Sequence, residues 1–130
     1  MNREEFLKQK VWAVVGATQK EEKWGYRIYK TLKDAGYEVY GVNPNYDTID
    51  GDTMYHTLSE IPVKVDAIDM VINRKQSIRV LEEAKELGLN NIFFQPGSVD
   101  KDVIAKAEEL GLDYLNGDCI YRAVKESEMR

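Results

Sequence analysis

The sequence contains very few of the residues from which disulfides and metal sites are built. Its 130 residues include one cysteine, Cys119, and one histidine, His56. A single cysteine excludes a disulfide within the chain and suits a reducing compartment, so we expect a cytoplasmic protein. A metal site needs several histidine, cysteine or carboxylate ligands, and no such motif surrounds His56. Since a Ser-His-Asp arrangement and a Walker loop are also missing, the sequence predicts no metal and no catalytic residue.

Long apolar runs and long runs of like charge are missing as well. No segment approaches the roughly 20 apolar residues that span a bilayer. The charged segment 1–10 lacks the apolar core of a signal peptide, so we expect no membrane partner. The net charge of -5 argues against a nucleic-acid partner, because such proteins neutralise phosphates with basic residues. Without a linker or repeat, residues 1–130 are predicted to form a single domain.

Short apolar runs that predict strands alternate along the chain with amphipathic segments that predict helices. The predicted strands are Val11–Val15, Tyr37–Val42, Ala67–Ile72, Asn91–Gln95 and Leu112–Leu115. The predicted helices are Glu4–Gln9, Trp24–Ala35, Gln76–Leu87, a segment capped by Ser98 or Asp100 that ends at Leu110, and Cys119–Met129. The segment Met54–Ile61 is interpreted as a bend or a helical turn.

This alternation is typical of an α/β protein with helices on both faces of a parallel sheet. Right-handed crossovers leave few topologies. We predict a Rossmann-like, doubly wound parallel sheet of about five strands in the order 3-2-1-4-5, with the Val11 strand in the middle.

Ligands of such sheets bind beyond the carboxyl ends of the strands, near the point where the strand order reverses. Small or polar residues dominate all five loops that follow the predicted strands. These loops are Gly16-Ala17-Thr18, Asn43-Pro44, Asn73-Arg74, Gln95-Pro96-Gly97 and Asn116-Gly117-Asp118-Cys119. The sequence therefore predicts a binding site at this edge.

The first loop has features of a phosphate-binding turn. Gly16 allows a close approach of the backbone, and the helix that follows offers free amides and the positive end of its dipole. Side chains near this helix start that can contact phosphate are Thr18, Lys20, Lys23 and Arg27. The alternative is a tight turn with solvated cations. Thr18 and Glu21 replace the second and third glycines of G-x-G-x-x-G, so the dinucleotide fingerprint is absent.

The second loop lacks the acidic residue that usually holds the ribose of NAD. Asn43 occupies that position and Pro44 follows it. An uncharged amide permits a phosphorylated ribose, which a carboxylate would repel. The alternative is a plain turn that ends the strand.

The remaining loops allow both a binding and a structural interpretation. Asn73 and Arg74 either form a wall beside a nucleotide or cap a helix with solvated charge. Gln95-Pro96-Gly97 is either a floor where the backbone meets the ligand or a simple turn. Cys119 is either a reactive thiol or an inert buried one.

Several motifs, in this order and spacing, match one family over nearly the whole chain, from Val11 to about Arg122. They are Val14-Val15-Gly16-Ala17-Thr18, Lys23-Trp24-Gly25-Tyr26-Arg27, the run from Gly36 to Pro44, Asp69-Met70-Val71-Ile72-Asn73-Arg74, Phe94-Gln95-Pro96-Gly97 and Asp118-Cys119-Ile120. The sequence resembles the small, stand-alone CoA-binding domain proteins, which are related to the N-terminal domain of the succinyl-CoA synthetase alpha subunit.

The resemblance implies a Rossmann-like domain that binds coenzyme A. Gly16-Ala17-Thr18 matches the loop that meets the diphosphate, and Asn43-Pro44 matches the loop after the second strand. Ile72-Asn73-Arg74 matches the segment beside the adenosine or the pantetheine. Cys119 falls near a cysteine of the synthetase's Gly-Pro-Asn-Cys-Pro segment, although Ile120-Tyr121 follows it here. The later synthetase domain with the phosphorylated histidine has no counterpart, so we do not expect ligase activity.

Three hypotheses for the function follow. The first is a cytoplasmic module that binds coenzyme A or an acyl-CoA without catalysis of its own. The second is a small oxidoreductase or acyl-transfer protein that uses Cys119. The third is a regulatory protein whose nucleotide state controls docking to a protein partner, and a homodimer is a further hypothesis.

Overall fold

Residues 1–129, which the computed structural model describes, form a seven-stranded sheet and five α-helices. The strands are β1 (Val11–Val15), β2 (Glu38–Val42), β3 (Thr48–Ile49), β4 (Asp52–Tyr55), β5 (Ala67–Met70), β6 (Asn91–Phe94) and β7 (Asp113–Leu115). The helices are α1 (Arg3–Leu7), α2 (Trp24–Asp34), α3 (Arg74–Glu86), α4 (Lys101–Glu109) and α5 (Ile120–Glu128). A single 3-10 turn covers Leu58–Glu60.

The sheet has the order β3-β4-β2-β1-β5-β6-β7. Every neighbouring pair is parallel except β3 and β4, which form an antiparallel hairpin at one edge. The predicted α/β, Rossmann-like architecture is confirmed, and β1 lies in the middle as predicted. The five predicted strands and five predicted helices are all present, with ends within about two residues of the prediction.

The predicted strand count and strand order are wrong at one edge of the sheet. The predicted order makes the Ala67 strand the third strand, at the edge beyond β2, yet it lies directly beside β1, where Val14 pairs with Asp69. The position beside β2 belongs to β4, which lies in a segment without a strand pattern because Met54 is its only buried residue. The turn before β4 was also missed: Asp50 and Gly51 have φ of 49° and 83°, as a tight hairpin turn requires. With β4 counted as the third strand, the order reads 3-2-1-4-5-6.

Side chains of β1 alternate between two cores, as expected for a central strand. Trp12 and Val14 are buried with α1, α2 and α5, while Ala13 and Val15 are buried with α3 and α4. Trp12 also packs against Phe93, at 6.5 Å between ring centroids. Apolar contact on both faces fixes the carboxyl end of β1, and with it the start of the loop at Gly16.

Two glycines allow the closest approach between α2 and the sheet. A Cβ on Gly16, which has φ of 103°, would lie 2.4 Å from the Val71 oxygen. A Cβ on Gly25, in the first turn of α2, would lie 2.1 Å from the Gly16 oxygen. Gly25 therefore performs the helix-to-strand packing that the third glycine of a dinucleotide fingerprint performs after a shorter loop.

The acidic side chain of Asp69 is buried in the core shared with α2 and α5. Ala67 and Val71 pack into that core, and alternation along the strand directs Asp69 to the same side. Neither carboxyl oxygen of Asp69 has a hydrogen-bond partner within residues 1–129. Burial raises the pKa of Asp69 well above its usual value, so its neutral form is favoured in the folded protein.

Replacing Gly25 with alanine is expected to destabilise the fold, although alanine favours a helix by about 1 kcal/mol. The new methyl group would overlap the Gly16 backbone, and such overpacking costs about 1–3 kcal/mol. Urea unfolding should show this loss, whereas Lys30→Ala on the exposed face of α2 should change stability by less than about 0.5 kcal/mol. A Gly25→Ala protein more stable than the wild type would contradict the proposed packing role.

The raised pKa of Asp69 predicts a pH dependence of stability with a definite sign. The folded state holds the Asp69 proton more tightly than the unfolded chain, so stability falls as pH rises from about 4 towards the folded pKa. Relative to Asp69→Asn, the wild type should lose up to about 1.4 kcal/mol per pH unit in that range. Parallel stability curves for the two proteins between pH 4 and pH 8, from urea unfolding, would contradict the burial of an unpaired acid.

Candidate functional site

The loops at the carboxyl edge of the sheet enclose two adjacent pockets. The larger, of about 750 Å³, lies between the first turns of α2 and α5, and we call it the α2–α5 pocket. The smaller, of about 420 Å³, lies between α3 and the loops after β2 and β4, and we call it the α3 pocket. Ile72 lines both, so a ligand that crosses Ile72 can occupy the two pockets together.

Most of the predicted loop residues line one of these pockets. The α2–α5 pocket contains Ile72, Asn73, Gln95, Pro96, Gly97 and Cys119. The α3 pocket contains Gly16, Asn43, Pro44 and Ile72. Chain segments far apart in the sequence are therefore brought together at the predicted edge, near the boundary between β1 and β5 where the strand order reverses.

The remaining predicted residues lie outside both linings. Ala17 is fully buried, and Thr18 is almost fully buried, with its hydroxyl donating to the Tyr46 hydroxyl at 3.2 Å. Exposed cations of this group are Lys20, Lys23, Arg27 and Arg74. None of the four has an ion pair within the part of the chain that the structure describes. Their positive charge is therefore exposed and is not neutralised by an ion pair in the described part of the chain.

The first turn of α2 presents free backbone amides beside the first loop. Lys23 is the N-cap residue, and its side chain makes no capping hydrogen bond. Trp24 lines the α2–α5 pocket, and the Arg27 guanidinium lies 5.2 Å from the centre of the Trp24 ring. Free amides and a nearby cation form an environment that attracts an anion.

Asn43 fastens the first loop to the second. Its Nδ2 donates to the Ala17 oxygen at 2.9 Å, and its Oδ1 accepts from the Asn45 amide at 2.9 Å. A carboxylate here could not donate to Ala17, so the amide has a structural reason. Contact between Asn43 and a ribose stays a prediction.

Gln95 holds the start of α5 in place. Its Oε1 accepts from the Ile120 amide at 2.8 Å, and its Nε2 donates to the Cys119 sulfur at 3.2 Å. The preceding residue, Asp118, accepts two hydrogen bonds of 2.7 Å from Arg3, which lower the pKa of that carboxyl. The loop around Cys119 is therefore fixed from the sheet and from α1.

Two groups of lining residues were not predicted from the sequence. In the α2–α5 pocket these are Trp24, Val71, Tyr121, Arg122, Lys125 and Glu126. In the α3 pocket they include His56, Thr57, Leu58, Gln76, Arg79 and Glu83. Arg122 and Lys125 could have been found from the predicted α5, because they lie three and six positions after Cys119 on the same helix. Gln76, Arg79 and Glu83 lie on the predicted third helix, whereas His56, Thr57 and Leu58 follow β4, which the pattern did not reveal.

Two further observations concern metal sites and membrane-spanning helices. Within residues 1–129, no three His, Cys, Asp or Glu side chains are grouped so that they could hold a metal ion. The described helices include none that is long and apolar enough to cross a membrane.

The chain is similar to curated proteins of different length. It is 29% identical over 119 residues to the alpha subunit of an ADP-forming acetate–CoA ligase II from Pyrococcus furiosus, covering 83% of this chain and 26% of the relative. The chain thus spans about a quarter of that relative's length. It is also 29% identical over 108 residues to the uncharacterized protein YneT of Bacillus subtilis, covering 83% of this chain and 80% of the relative.

Solved structures show the same fold. A conserved hypothetical protein from Pyrococcus furiosus has 38% identity and a TM-score of 0.84, with 87% of this chain and 97% of that chain covered. A hypothetical protein from Pyrococcus horikoshii OT3 has 28% identity and a TM-score of 0.89, with 97% and 92% covered.

The CoA binding domain family matches residues 10–125, which include all seven strands and every pocket-lining residue named above except Glu126. With this match over most of its length, the chain belongs to the CoA binding domain family.

Proposed function

We propose that this protein binds coenzyme A or an acyl-CoA across the two pockets at the carboxyl edge of the sheet. The observation that carries the proposal is the shared wall at Ile72, which joins a smaller and a larger pocket into one elongated site. Coenzyme A is an elongated ligand with a nucleotide at one end and a pantetheine arm at the other. Both volumes, about 420 and 750 Å³, suit small-molecule binding.

The α3 pocket suits the adenosine end. Apolar side chains of Pro44, Leu58 and Ile72 provide surfaces against which a base can pack. Arg79 lines the same pocket and has no ion pair within residues 1–129, which supports its contact with the 3'-phosphate. Glu83 is less available to repel that phosphate, because it accepts from the Leu58 and Ser59 amides at 3.4 Å each.

The turn between the two pockets suits the diphosphate. Gly16 lines the α3 pocket, and the first turn of α2 offers free amides beside it. Lys20 and Lys23 belong to the same loop and carry unpaired charge. This arrangement supports the contact proposed for Gly16, whereas Ala17 and Thr18 are buried outside both pocket linings.

The α2–α5 pocket suits the pantetheine arm and any acyl group attached to it. Its wall combines apolar side chains with Asn73 and Gln95, which can meet the amides of the arm. Cys119 lies in the same wall, at the end where we expect the thiol of the ligand. In this proposal the protein is a single cytoplasmic domain that binds its ligand without catalysis of its own.

The proposal predicts that Arg79 strengthens ligand binding only when the ligand carries a 3'-phosphate. Calorimetry should show that coenzyme A binds more tightly than NAD. Arg79→Ala should weaken coenzyme A binding about 10- to 100-fold, the loss expected for a hydrogen bond to a charged group. The same change should hardly alter binding of 3'-dephospho-coenzyme A, which lacks the phosphate.

Lys85→Ala provides a matched control for Arg79→Ala, because Lys85 is an exposed cation in the last turn of α3. Its affinity for coenzyme A should equal that of the wild type. Absence of coenzyme A binding at millimolar ligand would overturn the proposed function. An equal effect of Arg79→Ala on both ligands would overturn the placement of the 3'-phosphate.

A further inference from the structure

The α2–α5 pocket is larger than a pantetheine arm requires. Its volume of about 750 Å³ lies well within the range of pockets that enclose a whole drug-sized ligand, roughly 300–1,000 Å³. The pantetheine arm is a thin chain and forms only one part of coenzyme A. In the proposed function the arm enters beside Ile72, where the two pockets meet, and the remaining space extends along α5. That space has room for an acyl group on the thiol.

Two aromatic rings form a wall of this pocket between α2 and α5. The centroids of the Trp24 and Tyr121 rings are 5.4 Å apart, and the rings meet edge to face. Both residues line the pocket, and Trp24 is 50% exposed. Methylene groups that pack against such a ring remove apolar surface from water. The wall therefore favours the hydrocarbon part of an acyl group.

Each of these rings has a cation beside it. The Arg27 guanidinium lies 5.2 Å from the centre of the Trp24 ring. The Lys125 ammonium lies 5.6 Å from the centre of the Tyr121 ring. Neither cation forms an ion pair with any residue from 1 to 129. An ammonium group has three donors, so Lys125 can face the ring and still donate to an anion in the pocket.

The negative charge on this side of the molecule is already paired. Of the described residues that line the pocket, Glu126 alone is acidic, and Arg3 pairs with it. Asp118 also accepts two hydrogen bonds from Arg3, which are the main reason that its pKa is lowered, and the charge of Arg122 is a smaller one. Arg122 thus already acts on one carboxylate, which makes Lys125 the stronger candidate for contact with a ligand.

The two α5 cations lie beyond the position that we expect for the ligand thiol, near Cys119. An α-helix rises about 1.5 Å per residue, so Arg122 and Lys125 follow Cys119 by roughly 4.5 and 9 Å along α5. An acyl chain of a few methylene groups spans such a distance. Because the whole chain carries a net charge of -5, this positive pocket wall is a local feature and not the consequence of a basic protein.

We propose that the preferred ligand of the α2–α5 pocket is a coenzyme A thioester of a dicarboxylic acid, whose acyl group ends in a free carboxylate. The methylene groups of this acyl group lie against Trp24 and Tyr121. The terminal carboxylate accepts hydrogen bonds from Lys125 and Arg122. This inference rests on the proposed function, since it assigns the acyl group of the same ligand.

The test compares two thioesters with the same number of acyl carbons. Pentanoyl-CoA ends in a methyl group, whereas glutaryl-CoA ends in a carboxylate. Calorimetry on the wild type should show that glutaryl-CoA binds about tenfold more tightly, the lower end of the effect of a hydrogen bond to a charged group. The ratio of the two affinities should shrink as the salt concentration rises from about 0.01 M to about 1 M, because salt screens exposed charges. A ratio that salt leaves unchanged would contradict contact with these cations.

Variants without the two cations test the assignment directly. Lys125→Met removes the charge and keeps a long, unbranched side chain. Combined with Arg122→Met, it should bring the affinities for the two thioesters within about twofold of each other. Lys85→Met is the matched control, because Lys85 is an exposed cation on α3 outside both pocket linings, and it should keep the tenfold ratio. A tenfold ratio in the double variant would overturn the inference.

Failure of this inference can be distinguished from failure of the proposed function. If coenzyme A binds and glutaryl-CoA binds no more tightly than pentanoyl-CoA, the inference fails while the proposed function stands. If neither coenzyme A nor the thioesters bind at millimolar concentration, both fail.

Discussion

The close contact between the carboxyl ends of β1 and β5 governs the geometry of the whole site. At Gly16 the chain passes so near Val71 that no side chain fits, and the Gly16 oxygen is in turn covered by Gly25. This three-layer backbone contact determines where β1 ends, where α2 begins and how far α2 lies from the sheet. The two pockets open on either side of it, so their separation is fixed by backbone packing and not by flexible side chains.

Polar side chains at this edge are mostly used to hold the loops before any ligand arrives. Asn43 joins the first two loops, and Gln95 joins the sheet to α5. Asn73 and Asp100 cap α3 and α4 by accepting from backbone amides at 2.9 Å. Within residues 1–129, no ion pair neutralises the exposed cations Lys20, Lys23, Arg27 and Arg74. Such preorganisation reduces the entropy that binding would otherwise cost.

The sequence allowed prediction of elements whose signal is local. Apolar runs and terminal glycines located five strands and five helices, and the five loops predicted after the strands contain eight residues that line the pockets. The edge hairpin was missed because β3 has two residues and β4 buries only Met54 fully. This omission also concealed His56 and Thr57. The burial of Asp69 was not predicted, because an acidic residue within an apolar run does not reveal whether its carboxyl group finds a hydrogen-bond partner in the fold. Gly25 belongs to a motif noted in the sequence, but its packing role depends on its contact with the backbone of Gly16, nine residues earlier in the chain.

The pairing of Arg3 with Asp118 has a consequence for biosynthesis. The two residues are separated by 115 positions in the sequence, yet their hydrogen bonds hold the segment that precedes Cys119. During translation, α1 can therefore form these hydrogen bonds only after Asp118 has been synthesised. The nascent protein can assemble most of its sheet earlier, but the thiol reaches its final surroundings only when the two ends of the chain meet.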